Sequence, residues 1–152
     1  MNKIIFYFLP FLLLINSCGY QPIYTNKNIN FSIKEINSIN NNRLIILLKN
    51  NLNMYSDTEN KDKNYLLNVE VERKIITTSK DTAGNPKTYL MEVIVKIEVQ
   101  ENYDEITKKN FVEKFNYNTQ ENKFNQSQYE ENIEENLIRK ISENIVLYLS
   151  SI

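Results

Sequence analysis

The chain has 152 residues, with 18 basic and 19 acidic side chains, a net charge of −1, one cysteine, two glycines and no histidine. The commonest transition-metal ligands are therefore almost absent, no glycine-rich loop of the Walker type is present, and the balanced charge argues against a nucleic-acid partner. Acid–base chemistry would fall to carboxylates, Tyr or Lys, and no paired acids stand out, so the chain reads as a binding or scaffolding protein rather than an enzyme.

Lys3 precedes an apolar run, Ile4 to Ile15. These 12 residues fall short of the roughly 20 needed to span a bilayer. A basic start, a short apolar core and a small residue before a break describe a signal peptide over residues 1–17. The break, Ile15-Asn16-Ser17-Cys18, resembles the bacterial lipobox, with an aliphatic residue three places before the cysteine and Ser immediately before it. That resemblance implies that Cys18 becomes the first mature residue, with diacylglycerol on its sulfur and an acyl chain such as palmitate on its amine. This covalent lipid is the only prosthetic group expected. A secreted protein with a free thiol and an uncleaved N-terminal anchor are the alternative readings. A lone cysteine has no intramolecular disulfide partner, whereas two or more acyl chains form a stable anchor. Gly19 rather than Asp follows the cysteine, which by resemblance to enteric lipoproteins points to the outer membrane.

The remaining length suits one domain, taken as 28–152 behind a tether at 18–27. Pro22 biases the tether toward extended backbone. Ile29, Phe31 and Ile33 alternate with polar residues and predict a first strand. Asn40, Asn41 and Asn42 offer caps for a helix with Leu44, Leu48, Leu52 and Tyr55 on one stripe. Ser56 to Asn64 reads as a polar loop. Tyr65, Leu67, Val69 and Val71 begin a second strand reaching about Ile76, and Thr77 to Thr88 reads as a turn punctuated by Gly84, Asn85 and Pro86. In the third strand Tyr89, Met91, Val93, Val95, Ile97 and Val99 share one face, which implies one buried and one wet side. Asn102 to Asn110 reads as the next turn, and Phe111, Phe115 and Tyr117 mark a fourth strand. Ser127-Gln128-Tyr129-Glu130 has the form of a capping box. After it Ile133, Leu137, Ile141, Ile145 and Leu149 continue a helical stripe. Together these elements predict an α+β two-layer sandwich, a four-stranded, mostly antiparallel sheet with two helices on one face.

The mature start Cys18-Gly19-Tyr20-Gln21-Pro22-Ile23-Tyr24 resembles the "CGFxPLY" start of alphaproteobacterial LPS-assembly lipoproteins, the LptE family, and the element order matches that family across nearly the whole mature chain. The resemblance implies an outer-membrane lipoprotein that faces the periplasm, plugs a large β-barrel of the LptD type, assists the barrel's assembly, binds lipopolysaccharide and helps insert it into the outer leaflet. It implies no catalysis and no metal.

Between Arg73 and Thr88 the basic residues Arg73, Lys74, Lys80 and Lys87 stand against Asp81 alone, a local net charge of +3. Basic side chains pair well with phosphate, so these four are candidate lipopolysaccharide contacts. A solvated loop is the plainer reading. The alternative function is an outer-membrane lipoprotein that regulates a periplasmic envelope enzyme, such as a peptidoglycan synthase. Such a role calls for a long linker, and the first strand here begins about ten residues after Cys18. Replacing Cys18 by Ala is expected to leave an unprocessed precursor. Intact mass of the wild-type chain checks this, since an unacylated N-terminus, or one starting elsewhere, contradicts the assignment.

Overall fold

The computed structural model describes residues 29–39, 42–56, 61–101 and 105–152. The signal peptide, Cys18 and the tether lie outside the described residues. The elements are β1 (Phe31–Ser38), α1 (Arg43–Leu52) with a single 3₁₀ turn at Asn53–Tyr55, β2 (Lys63–Lys80), β3 (Pro86–Glu101), β4 (Glu105–Asn118) and α2 (Lys123–Leu149). The four strands lie in the order β1-β2-β3-β4. β1 runs parallel to β2, and the other pairs are antiparallel. This is the α+β architecture that the periodicities predict. The parallel pair follows from α1, because parallel neighbours need a crossover, usually a helix, between them.

Alternation sets the core. Tyr65, Leu67, Val69 and Val71 of β2 and Met91, Val93, Val95, Ile97 and Val99 of β3 are buried on the face that carries the helices. Leu44, Ile45, Leu48 and Leu52 come down from α1, and Ile133, Leu137, Ile138, Ile141, Ile145 and Leu149 from α2. β1 contributes Phe31 and Ile33, then a bulge between Ile33 and Glu35 shifts the alternation so that Ile36 lines up with Leu67. Without that extra residue Glu35 would take the inward place. Phe31 packs between Tyr55 and Tyr65, with centroid distances of 6.0 and 5.7 Å. The buried Tyr65 hydroxyl donates to the Leu149 and Ile152 carbonyls at 3.4 and 3.3 Å, pinning the end of α2. Desolvation, with the Glu101 and Tyr148 charges adding to it, pushes the Tyr65 pKa up to about 12.

The opposite sheet face is laddered with ion pairs: Lys96–Glu70 at 3.2 Å, Lys114–Glu92 at 2.8 Å, and Lys108–Glu98. Ile94, which interrupts the polar pattern of β3, is opposite Val112 on this same face.

Several boundaries differ from the sequence expectation, β2 among them, which begins at Lys63 within the expected loop. β2 and β3 run on to Lys80 and from Pro86, leaving a turn of only Asp81–Asn85. Thr77, Thr78 and Thr88 look turn-like by polarity, yet β-branched residues suit strands. β4 begins at Glu105 rather than Phe111, with Ile106 and Thr107 carrying the same preference. Ser127 lies inside α2, which starts one turn earlier: Asn122 is the N-cap, its side chain accepting the Asn125 N–H at 2.8 Å. The first turn includes Phe124, 74% exposed, so it carries no inward apolar signal. At the first helix the Asn42 cap is as expected, its side chain accepting from the Ile45 N–H at 3.0 Å.

Val95 is fully buried while Lys96 faces solvent. Val95→Asp is expected to cost roughly 3–5 kcal/mol by burying an unpaired charge. Lys96→Ala, losing an exposed ion pair, is expected to cost under about 1 kcal/mol. Urea unfolding midpoints of the two variants check the difference.

Candidate interaction surface

Beyond Val71 every residue of β2 except the half-buried Ser79 is exposed. With the facing part of β3, this stretch forms a hairpin arm whose base is still covered by α2, where Arg73 meets Glu134 and Tyr117, the partner of Tyr89, meets Tyr129. The turn at its end is built by Asp81. Its carboxylate accepts the Ala83 and Asn85 N–H groups at 2.9 and 2.8 Å and the Asn85 amide at 3.1 Å. Its backbone N–H donates to the Asn85 carbonyl at 2.8 Å. Gly84 has φ 87°, a left-handed conformation that glycine adopts without steric cost. The hydrogen bond from the Asn85 side chain leads in holding the Asp81 carboxyl below its ordinary pKa. The one acid of the basic segment is thus occupied by the turn itself. Lys80 and Lys87 flank it, exposed, and form no ion pair among the described residues. Thr119 ties the end of β4 to the arm, its hydroxyl donating to the Pro86 carbonyl at 2.8 Å.

The structure separates the four basic candidates. Lys80 and Lys87 stand together at the tip. Lys74 lies on the outer sheet face opposite Glu92, 3.5 Å from Glu72, and six residues of extended chain place it about 20 Å from Lys80. Arg73 lies on the helix-bearing face and is drawn to Glu134 of α2. It braces the fold and does not belong to the tip.

Glu134 is one of four acids, with Glu130, Glu131 and Glu135, in the first half of α2. Its side chain is 5% exposed and also accepts from Arg43 at 2.8 Å. Arg43, at the start of α1, reaches Glu135 as well, at 2.7 Å. One buried carboxylate therefore joins α1, α2 and β2. The signal was present, since residue 134 shares a helix face with the buried Leu137, Ile138 and Ile141, and an acid set in such a stripe needs a partner. A cleft of about 360 Å³ opens beside this brace, lined by Asn42, Arg43, Arg73, Glu130, Glu131 and Glu134. Glu130 accepts from the Tyr117 hydroxyl at 2.8 Å and from Gln126 at 2.7 Å. Desolvation, helped by this hydrogen bond, pushes the Tyr117 pKa well up.

The aromatic residues of β3 and β4 divide between core and surface. Tyr117 is core and stacks on Tyr89 at 5.4 Å, whereas Phe115 remains 43% exposed. No group of acidic side chains with metal-binding geometry occurs among the described residues, and none of their helices is long and apolar enough to cross a membrane.

No family model and no curated protein matches the sequence. Solved structures do match the fold. Rare lipoprotein B from Shewanella oneidensis is 16% identical, with a TM-score of 0.63 over 79% of this chain and 95% of that one. A lipoprotein from Caulobacter crescentus is 12% identical, with a TM-score of 0.57 over 80% and 88%. Lipoprotein B from Nitrosomonas europaea is 8% identical, with a TM-score of 0.61 over 86% and 92%. The chain thus has a fold found in bacterial lipoproteins, over nearly the full length of those proteins.

Replacing Glu134 by Ala is expected to destabilise the domain by about 1.5–3 kcal/mol, the usual value for hydrogen bonds to charged groups. Arg43 and Arg73 are each more than 40% exposed and stay hydrated, which keeps the loss below that of a fully buried pair. A lower urea midpoint with unchanged slope checks it.

Proposed function

We propose that this chain is an outer-membrane lipoprotein of the LptE type, anchored through Cys18, that occupies and helps assemble a large β-barrel through which lipopolysaccharide reaches the outer leaflet. The observation that carries the reading is the fold shared with bacterial lipoproteins, met in a chain whose N-terminal region has a lipobox-like cysteine within Cys18 to Tyr24. No enzymatic role is proposed.

The direction of the chain supports the reading. Ile29 and Asn30 enter beside Lys63, whose N–H donates to the Asn30 carbonyl at 3.3 Å. The tip, Lys80 to Lys87, is at the other end of β2. An 18-residue strand extends about 60 Å. The point where the described chain begins, at Ile29, and the basic tip are then at opposite ends of β2, as suits a plug that is held at one membrane surface and reaches along a barrel. Lys80 and Lys87 are the lipopolysaccharide contacts retained in this reading. Exposed charges are screened beyond about 8–10 Å at physiological salt, so they act by direct contact with phosphate.

Depletion of the protein is expected to lower the amount of assembled barrel and to weaken the lipopolysaccharide barrier. Unchanged barrel levels and surface lipopolysaccharide would point to regulation of a periplasmic enzyme instead. Changing Lys80 and Lys87 together to Glu is expected to weaken binding of purified lipopolysaccharide several-fold with unchanged thermal unfolding, while Lys49→Glu on α1 leaves it intact. Equal loss in both variants would mean that the attraction is non-specific.

A further inference from the structure

β1 covers only the first part of β2. Their pairing ends at Ser38 and Val69. β2 then continues with its other side paired to β3, and among the described residues no strand lies against the near side. Thr78 has no partner in the β3 register, so a bulge ends the regular edge there. Glu70 to Thr77 is therefore a free edge of eight residues, with roughly four N–H and four C=O groups pointing away from the sheet, since alternate residues of a strand face each neighbour.

This edge differs from that of β4. Proteins blunt exposed edges with charges on both faces, including inward-pointing ones. β4 does so with Lys108 and Lys114 on the outer face and with Lys109 and Glu113 on the helix-bearing face, as their partners in β3 define. On β2 the inward Arg73 is drawn beneath α2 by Glu134, and Ile75, Ile76 and Thr77 form an uncharged, β-branched run. Ile75 and Ile76 are 38% and 47% exposed, and Ile39, just past the end of β1, is 84% exposed. Three isoleucines thus border a slot closed at one end by β1 and at the other by the Thr78 bulge.

We propose that this slot receives an extended segment of the barrel partner as an added strand, continuing the line of β1 along β2. The inference rests on the barrel reading above. Main-chain hydrogen bonds supply affinity in strand addition, and alternate side chains supply specificity. Lys74 and Ile76 share the outer face, opposite Glu92 and Leu90 of β3. The matching segment therefore carries an acidic residue opposite Lys74 and an apolar or β-branched residue two places away, opposite Ile76.

A photo-crosslinking side chain at Ile76 in the full chain, followed by purification from detergent-solubilised outer membrane, tests the proposal. The expected adduct joins the barrel through one extended segment with an acidic and an apolar residue two apart. The double variant Lys74→Glu, Ile76→Glu is expected to reduce recovered barrel at least tenfold with unchanged thermal unfolding. Val112→Glu, on the outer face of β4 and 44% exposed, is expected to retain it. An adduct with a second copy of this chain, undiminished barrel with the double variant, or equal loss with Val112→Glu overturns the proposal while leaving the barrel reading in place. A wild-type chain that recovers no barrel removes the barrel reading itself, and the added strand with it.

Discussion

The inward face of β3 is the constraint on which the rest of the domain depends. Met91, Val93, Val95, Ile97 and Val99 are all essentially inaccessible to solvent, and β3 pairs on both sides along most of its length. Because side chains alternate with a period of two, a slip of one residue would send this whole set to the wet face. The register of β2 and β4 is thereby fixed, and with it the positions of the outer ion-pair ladder. The two helices have one apolar surface on which to lie, and their stripes match it.

Glu134 turns this layered packing into a directional one. Hydrophobic contact holds α2 against the sheet with little preference for its axial position. A buried carboxylate that must meet Arg43 of α1 and Arg73 of β2 together admits one position. Ion pairs of this kind are weak sources of net stability, and the value of this one lies in registering three elements. It also has a consequence at the surface. By holding Arg73 inward it leaves the Ile75–Thr77 stretch of the β2 edge without the inward charge that guards β4.

The arm gives the domain two ends of different character. At the base Tyr65, Phe31 and the last residues of α2 close the core near the point where the chain enters at Ile29. At the far end little apolar surface is buried. There Asp81 and Thr119 hold the turn by local hydrogen bonds, and Lys80 and Lys87 are presented to solvent. Regions held by few buried contacts open locally at low cost. The base is thus held by buried apolar packing and the basic tip by local hydrogen bonds alone.

The element order, the buried faces of β2 and β3, both helical stripes and the Asn42 cap are legible in the sequence, because periods of two and 3.6 residues are local properties that burial amplifies. The N-terminal lipobox-like pattern is equally a matter of neighbouring residues. Only the tertiary structure decides which charges meet. Arg73 and Glu134 are 61 residues apart, and Arg43 and Glu134 are 91 apart, so no local pattern marks them as partners. The same holds for the basic cluster. In sequence Arg73, Lys74, Lys80 and Lys87 form one patch, while in space an alternating strand sends Arg73 and Lys74 to opposite faces and its length carries both away from the tip. The free edge from Glu70 to Thr77 is decided likewise, by where β1 stops, and that depends on the crossover to α1 and on its packing against α2 rather than on anything written within β2.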